Sequence, residues 1–320
     1  VSDFSKVVVI SNSRAEAGPL QSVIAEMPGA VVLNWMPRLI VEPVAQRSAD
    51  ALQWFDMQIR RLNPSVVVVL GDRYETLSAA LAAMFLRVKI VHIHGGETTT
   101  GSFDNALRHG ITHLAEQSGG AHCVATDDAK NRVFELGGGD NIKRIHITGA
   151  PGLDGIPGNS ARRDTKLILV TYHPVTMATD YGLGDCRKML ELLRRLNETH
   201  AIVFCGVNTD PGANEIRALI GQCGFGEIRE NMSHDLYISL MQSAVLVIGN
   251  SSAGVIEAPW VGVPSINIGD RQSGREMAGS VFHSLADIHR ALLWKGPSNP
   301  IYCGGAAPRI AAVVAGLINA

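Results

Sequence analysis

VVVVLGDRYETLSAALAAMFLRVKIVHIHGGE, residues 66–97, is the stretch on which the fold turns. Val66 to Leu70 is apolar without a break and rich in β-branched residues, the pattern of a strand buried on both faces. Gly71-Asp72 then supplies a turn, Ser78 to Arg87 carries a helical pattern, and Ile90 to Ile93 is a second continuous apolar run. Strand, turn, helix and strand in that order make a βαβ unit, and such units build parallel sheets.

The same alternation extends outward in both directions. Further strands are expected at Val7 to Ile10, His122 to Ala125 and Ile145 to Thr148. A second set is expected at Leu167 to Thr171, Ala201 to Cys205, Ala244 to Ile248 and Ser265 to Ile268. Between them lie helical stretches such as Asp185 to Asn197, where Met189, Leu192, Leu193 and Leu196 recur at helical spacing. Gly137-Gly138-Gly139 stops the helix that ends at Leu136. The segment Gly149 to Asp164, rich in Gly, Pro and Ser, separates the two strand sets and reads as a linker. The fold class is therefore α/β, with two Rossmann-like doubly wound domains facing across a cleft, residues 1–155 and 156–320. The C-terminal helix is a candidate to pack back on the first domain. In such sheets ligands bind beyond the carboxyl ends of the strands.

Bulk properties agree with that reading and remove several classes. A chain of 320 residues exceeds what one hydrophobic core usually holds. With 46% hydrophobic and 18% charged residues it is globular, not disordered. A formal net charge of -2 without a basic run gives no nucleic-acid footprint. No apolar segment reaches the ~20 residues of a membrane span; the run from Leu77 to Leu86 is interrupted by Ser78 and bounded by Glu75 and Arg87. Asp3 and Lys6 open a terminus without a leader pattern. The five cysteines are odd in number and widely spaced, which suggests neither a disulfide framework nor a structural zinc site. The expected location is the cytoplasm.

Four clusters carry candidate chemistry, each at a predicted strand end. After Leu70 come Asp72, suited to acid or base work, and Arg73, suited to a phosphate; a plain βα turn capped by Asp is the competing reading. After Ile90–Ile93 come His94, Gly95-Gly96 and Glu97, then Asp104. Alternation puts His92 and His94 on one face, and H-x-H also occurs in metal-dependent hydrolases. Two histidines without placed partners make a weak metal site, so no metal is expected. His92 reads as a satisfied buried histidine. His173, held off helix by Pro174, suits a phosphate contact as an imidazolium or a proton shuttle. The fourth cluster, GNSSAGVIE from Gly249 to Glu257, is expected to open a helix. Its backbone N–H groups and the hydroxyls of Ser251 and Ser252 suit an anion, and Glu257 suits a ribose. A capped helix without a ligand is the alternative. Arg271, Asn208 and Asp210 populate the same edge, Arg271 suited to closing over a diphosphate.

Taken in order, SNSRAEAG from Ser11, LGDRYETLSAA from Leu70, HIHGGETTTGSFD from His92, RHGIT from Arg108, TGAPGLDGI from Thr148, YHPVT from Tyr172 and GNSSAGVIEAPWVGVPSINIGDRQSGRE from Gly249 cover nearly the whole chain. They resemble the hydrolysing branch of the UDP-N-acetylglucosamine 2-epimerase family, of the sialic and legionaminic acid pathway type. The resemblance implies a GT-B architecture, a UDP-sugar substrate, a homodimer, and chemistry without metal or cofactor. A base removes the C2 proton, UDP leaves from C1, and water adds to the glycal. By motif position Arg14, Asp72, Arg73, Asp104 and His173 form the catalytic and phosphate-contacting set. Ser251, Ser252, Glu257 and Arg271 form the UDP grip. The family's second acid falls on Glu97 or on the position held by His94. Relatives carry a longer excursion where this chain has Ala30 to Gln46, and a His-containing helix end where it reads THLAEQSGGAH after Ile111. Both departures fit a specialised member acting on a modified sugar. Two rival readings stay open: a GT-B glycosyltransferase, and a nucleotide-sugar-binding protein without turnover.

Overall fold

The structure, a computed structural model, describes residues 3–12, 14–36, 43–137, 142–162 and 166–319. Gly138 and Gly139 of the expected helix stop, Arg163 and Asp164 of the expected linker, and residues 37–42 of the short first-domain stretch lie outside the described residues. The chain divides into two compact units, one of Val1–Glu97, Asp104–Gly155 and Tyr302–Ala320, the other of Thr98–Phe103 and Ile156–Ile301.

The first unit is built on six parallel strands: β1 (Val7–Ile10), β2 (Val31–Leu33), β3 (Val66–Leu70), β4 (Lys89–Ile93), β5 (Ala121–Val124) and β6 (Ile145–Ile147). Their order in the sheet is β2-β1-β3-β4-β5-β6. Its helices are α1 (Arg14–Ala25), α2 (Val44–Leu62), α3 (Tyr74–Phe85), α4 (Asp104–Gln117) and α5 (Asp127–Leu136), with the C-terminal helix Ala306–Asn319 added from the far end of the chain. Both sheet faces are covered, which is why β1 and β3 read as unbroken apolar runs. On one face Val7, Val9, Val66 and Val68 pack with Leu20, Val23, Ile310 and Val314. On the other Val8, Ile10, Val67 and Val69 pack with Phe55, Ile59, Ala79 and Ala83.

The second unit repeats the plan with β7 (Leu167–Thr171), β8 (Ala201–Cys205), β9 (Glu227–Arg229), β10 (Leu246–Gly249), β11 (Ser265–Asn267) and β12 (Val281–Phe282). The order is β12-β11-β10-β7-β8-β9, all parallel. Counted within the unit this is 3-2-1-4-5-6, the dinucleotide-binding arrangement, whose direction of winding reverses between β7 and β10. Its helices are α6 (Leu183–Leu196), α7 (Ala213–Gly221), α8 (His234–Ser243), α9 (Glu257–Val261) and α10 (Ile288–Leu292); Ala306–Asn319 is then α11.

Residues 98–103, expected with the first domain, group with the second unit. The Thr100 amide donates to Ser273 O at 3.2 Å, the Met177 amide to Gly101 O at 3.3 Å, and the Phe103 amide to Thr176 Oγ1 at 3.1 Å. Among the described residues no helix is long and apolar enough to cross a membrane.

Candidate active site

In each unit the topology picks one place for a ligand, beyond the carboxyl ends of the two strands where the winding reverses. In the first unit these are β1 and β3, and in the second β7 and β10. Most of the sequence-derived candidates follow these strands or their neighbours β4, β8 and β11.

After β1 the chain enters α1 at Arg14, whose side chain lies outside the described residues. The turn is held by Glu16, which sequence reading passed over. Glu16 Oε2 accepts from the Asn12 amide at 2.7 Å, and its Oε1 accepts from the Thr76 hydroxyl on α3 at 3.1 Å. Burial pushes this carboxyl above its ordinary range, against the lowering pull of the Asn12 N–H and Arg73. An acidic residue in a first helical turn looks like dipole compensation, so nothing in the sequence marked it.

After β3, Asp72 is ion-paired with the buried Arg108 of α4, one turn on from Asp104. Arg108 was quoted with its motif but given no role. Arg73 pairs with Glu75 at 3.2 Å and lies 5.8 Å from the centre of the Tyr74 ring. Asp104 begins α4 and is buried.

After β4, the equal-face expectation for the two histidines fails. The strand ends at Ile93, and His94 takes a left-handed φ of 61°, so strand alternation stops one residue short of it. His92 is the satisfied buried histidine. Its Nε2–H donates to Gly71 O at 2.8 Å and its Nδ1 accepts from Thr112 Oγ1 at 3.2 Å. His94 Nδ1 lies 3.9 Å from Glu97 Oε1, and Glu97, 3% exposed, accepts from the Tyr302 phenol at 2.8 Å.

In the second unit, a fully buried Asn250 knits the reversal point. Its Oδ1 accepts from the His173 amide at 2.7 Å and its Nδ2 donates to His173 O at 2.8 Å. Its own carbonyl accepts from Gln272 Nε2 at 3.0 Å and Arg271 Nη1 at 3.4 Å, while Arg271 Nε donates to Pro174 O at 3.2 Å. His173 Nδ1 accepts from the Asn208 amide at 3.3 Å. Burial, then Arg271 and Arg217, push this imidazole down to about 3. The imidazolium considered from sequence is thereby replaced by a neutral ring with its proton on Nε2, a donor suited to a phosphate oxygen. Arg217, which carried no sequence signal, fixes the neighbouring loop by donating to Val207 O at 2.9 Å and Asn208 O at 2.7 Å. Asn208 Nδ2 in turn donates to Asp210.

The helix expected to open at Gly249-Asn250-Ser251-Ser252 is much smaller than its sequence suggests. Ser251 Oγ accepts from the Ala253 amide at 3.3 Å and caps a single 3₁₀ turn, Ser252–Gly254. Glu257 then begins α9, only five residues long. Gly262, at a left-handed φ of 87°, ends it after Val261. A macrodipole of that length adds little, so an anion there relies on hydroxyls and individual N–H groups. Gly249 is demanded by packing: a Cβ would sit 2.0 Å from Thr171 O on β7, at a φ of 143°.

A cavity of about 400 Å³ lies under the loop that follows β11, lined by Asn267, Asp270, Ser273, Arg275 and His283 among others. Among the described residues no three His, Cys, Asp or Glu side chains converge so as to hold a metal ion.

The UDP-N-acetylglucosamine 2-epimerase family model matches residues 42–293. Polysialic acid biosynthesis protein P7 of Escherichia coli is 32% identical over a match covering 67% of this chain and 57% of that protein. The GDP/UDP-N,N'-diacetylbacillosamine 2-epimerase (hydrolyzing) of Campylobacter jejuni is 31% identical, covering 75% of this chain and 66% of that protein. The chain thus spans less than two thirds of the length of these curated relatives. Among solved structures, the Methanocaldococcus jannaschii UDP-GlcNAc 2-epimerase in complex with UDP-GlcNAc and UDP superposes with a TM-score of 0.77 at 16% identity, covering 96% of this chain and 99% of that one. The Neisseria meningitidis enzyme bound to UDP-GlcNAc gives 0.75 at 14%, covering 98% and 99%. At such identities the likeness speaks for the two-domain α/β fold alone. The family model spans most of the chain and takes in the β3, β4, β7 and β10 strand-end clusters, and the chain belongs to the UDP-N-acetylglucosamine 2-epimerase family.

Proposed function

We propose that the chain is a hydrolysing 2-epimerase that converts UDP-N-acetylglucosamine, or a related UDP-linked 2-acetamido sugar, to UDP and the free 2-epimer. The observation that carries this reading is the set of carboxylates at the ends of β3 and β4, Asp72 and Glu97, each gripped by a donor from its own unit. Elimination needs a fixed carboxylate to take a weakly acidic C–H proton, whereas simple glycosyl transfer does not. Asp72, Glu97 and Asp104 divide the proton transfers, with His94 beside Glu97. The C2–H electron pair forms the C1=C2 bond as the C1–O pair leaves with UDP. Water then delivers hydroxide to C1 and a proton to the opposite face of C2, so one water is consumed.

The departing diphosphate gains negative charge, and donors aimed at it lower the barrier. In the second unit His173 Nε2–H, Arg271 and the hydroxyls of Ser251 and Ser252 serve it, Glu257 takes the ribose hydroxyls, and Asn208 and Asp210 hold the loop beside His173. In the first unit Arg14 and Arg73 are phosphate-contact candidates by motif position. The Campylobacter relative's name favours N,N'-diacetylbacillosamine as a second sugar to try. The name of the E. coli relative supports a place in sialic-acid-type synthesis. A homodimer and a cytoplasmic location belong to the same reading, supported by family membership; sedimentation tests the first.

Proton NMR in heavy water, with each UDP-sugar in turn, tests the reaction. The expected products are UDP and a free 2-epimer carrying deuterium at C2. UDP-sugars left intact and unlabelled, with both sugars, overturn the reading.

A further inference from the structure

Tyr302 begins the last stretch of chain in the first unit, about two hundred residues beyond the carboxylates of that unit. Its ring is 2% exposed and its hydroxyl donates to Glu97 Oε2 at 2.8 Å. A buried phenol needs a partner, but a backbone carbonyl would satisfy it. A buried carboxylate is a costly choice unless the carboxylate itself is needed there.

Both ends of the contact are anchored. On the Glu97 side, Gly96 has a φ of 76°, and a Cβ there would fall 2.2 Å from Ala129 O on α5. Arg132 of α5 donates to the Gly96 carbonyl. On the Tyr302 side, the Ala150 amide donates to Cys303 O at 2.8 Å. Three residues after Cys303, the Ala306 amide and then that of Ala307 donate to the carboxylate of Asp154, each at 2.8 Å, which pins the start of α11. Glu97 is thus clamped between two rigid parts of one unit, which is what a proton-transfer group needs, since small misplacements are costly in rate.

We infer that Tyr302 is a positioning residue for Glu97, making the returning C-terminal segment part of the reaction machinery; this rests on the proposed epimerase reading. The phenol fixes the carboxylate's rotation and stabilises its charged form, an interaction that changes as Glu97 gains or loses a proton. Its effect therefore falls on the chemical step, with little effect on nucleotide binding.

Tyr302→Phe removes one oxygen and keeps the buried ring. The expected result is a fall in kcat of about 10- to 100-fold, with KM and UDP affinity within about 2-fold and an altered kcat–pH profile. In a Glu97→Gln background the same change has no further effect on kcat. An unchanged kcat, or KM and UDP affinity worsening in step with it, overturns the inference. A second readout needs no turnover: ¹³C titration of the Glu97 carboxyl, assigned by its loss in Glu97→Gln. The midpoint rises by about one unit in Tyr302→Phe if the phenol governs it, and an unmoved midpoint overturns the pairing. Wild-type protein that fails to turn over any UDP-sugar sinks the epimerase reading, while the titration still decides whether Tyr302 controls Glu97.

Discussion

His92 and His173 are both neutral imidazoles, held so by different neighbours. His92 is enclosed by Gly71 and Thr112, and burial pushes it down to about 3. His173 accepts from the Asn208 amide beside two arginines and is also pushed down to about 3. In the unfolded chain both titrate near 6.5. Between these values the unfolded state binds more protons, so stability from each is intact above pH 6.5 and lost as pH falls toward 3. The slope approaches 1.4 kcal/mol per pH unit for each histidine, to order of magnitude. Urea midpoints are therefore expected to fall from pH 7 to pH 5. In His173→Gln, about one proton's worth of that slope disappears. An identical slope in the variant means the ring is not held neutral. Sequence reading identified His92 as core because it sits inside an apolar run. For His173 it left an imidazolium phosphate contact and a proton shuttle both open, because the burial that disfavours protonation, and the two arginines that add to it from α7 and the β11 loop, are set by the fold.

Among the elements, the strands most legible in sequence are the interior ones. β3 and β7 are buried on both faces and show as unbroken apolar runs. The strands the pattern did not reveal, β2, β9 and β12, all lie at sheet edges. β2 and β12 are only three and two residues long, too short to show a period, and Glu227-Ile228-Arg229 of β9 faces largely outward and reads as loop. The short α9 was likewise hidden, since its Ser-Ser opening resembles a full helix start. The 98–103 strap was illegible for another reason: several of its contacts are made by its own backbone N–H and C=O groups, which leave no residue pattern. Gly101 is its sharpest constraint, because a Cβ would lie 2.6 Å from Arg271 Cα and 2.6 Å from Asp270 O. Neither backbone atom can yield cheaply, so Gly101→Ala costs about 1–3 kcal/mol and displaces the loop carrying Arg271. Calorimetry with UDP is expected to give about 10-fold weaker binding, an estimate for one disturbed charged contact. Unchanged affinity means Arg271 does not hold the diphosphate.

At the scale of the whole molecule, the first unit is not a contiguous stretch of chain. Its sheet is laid down by residues before Gly155, yet one face is finished by α11 after the second unit has been threaded. Ala306, Ala307, Ile310, Ala311 and Val314 are buried there against Val7, Leu20 and Val66. Lys89 Nζ donates to Leu317 O at 3.0 Å, and Asp154 caps the start of the helix. Burial of those five side chains is worth roughly 5 kcal/mol at 25 cal/mol per Å², comparable to the net stability of an entire domain. A chain ending at Ile301 therefore leaves the first unit unstable, while the second keeps every element of its own core. Hydrogen exchange followed by peptide mapping distinguishes the two. Peptides from β1, β3 and β5 are expected to lose protection in the truncated chain, and those from β7, β8 and β10 to keep it. Equal protection of both sets in the truncated protein means that α11 is an ornament on a sheet able to stand without it, and uniform loss means the second unit leans on the first.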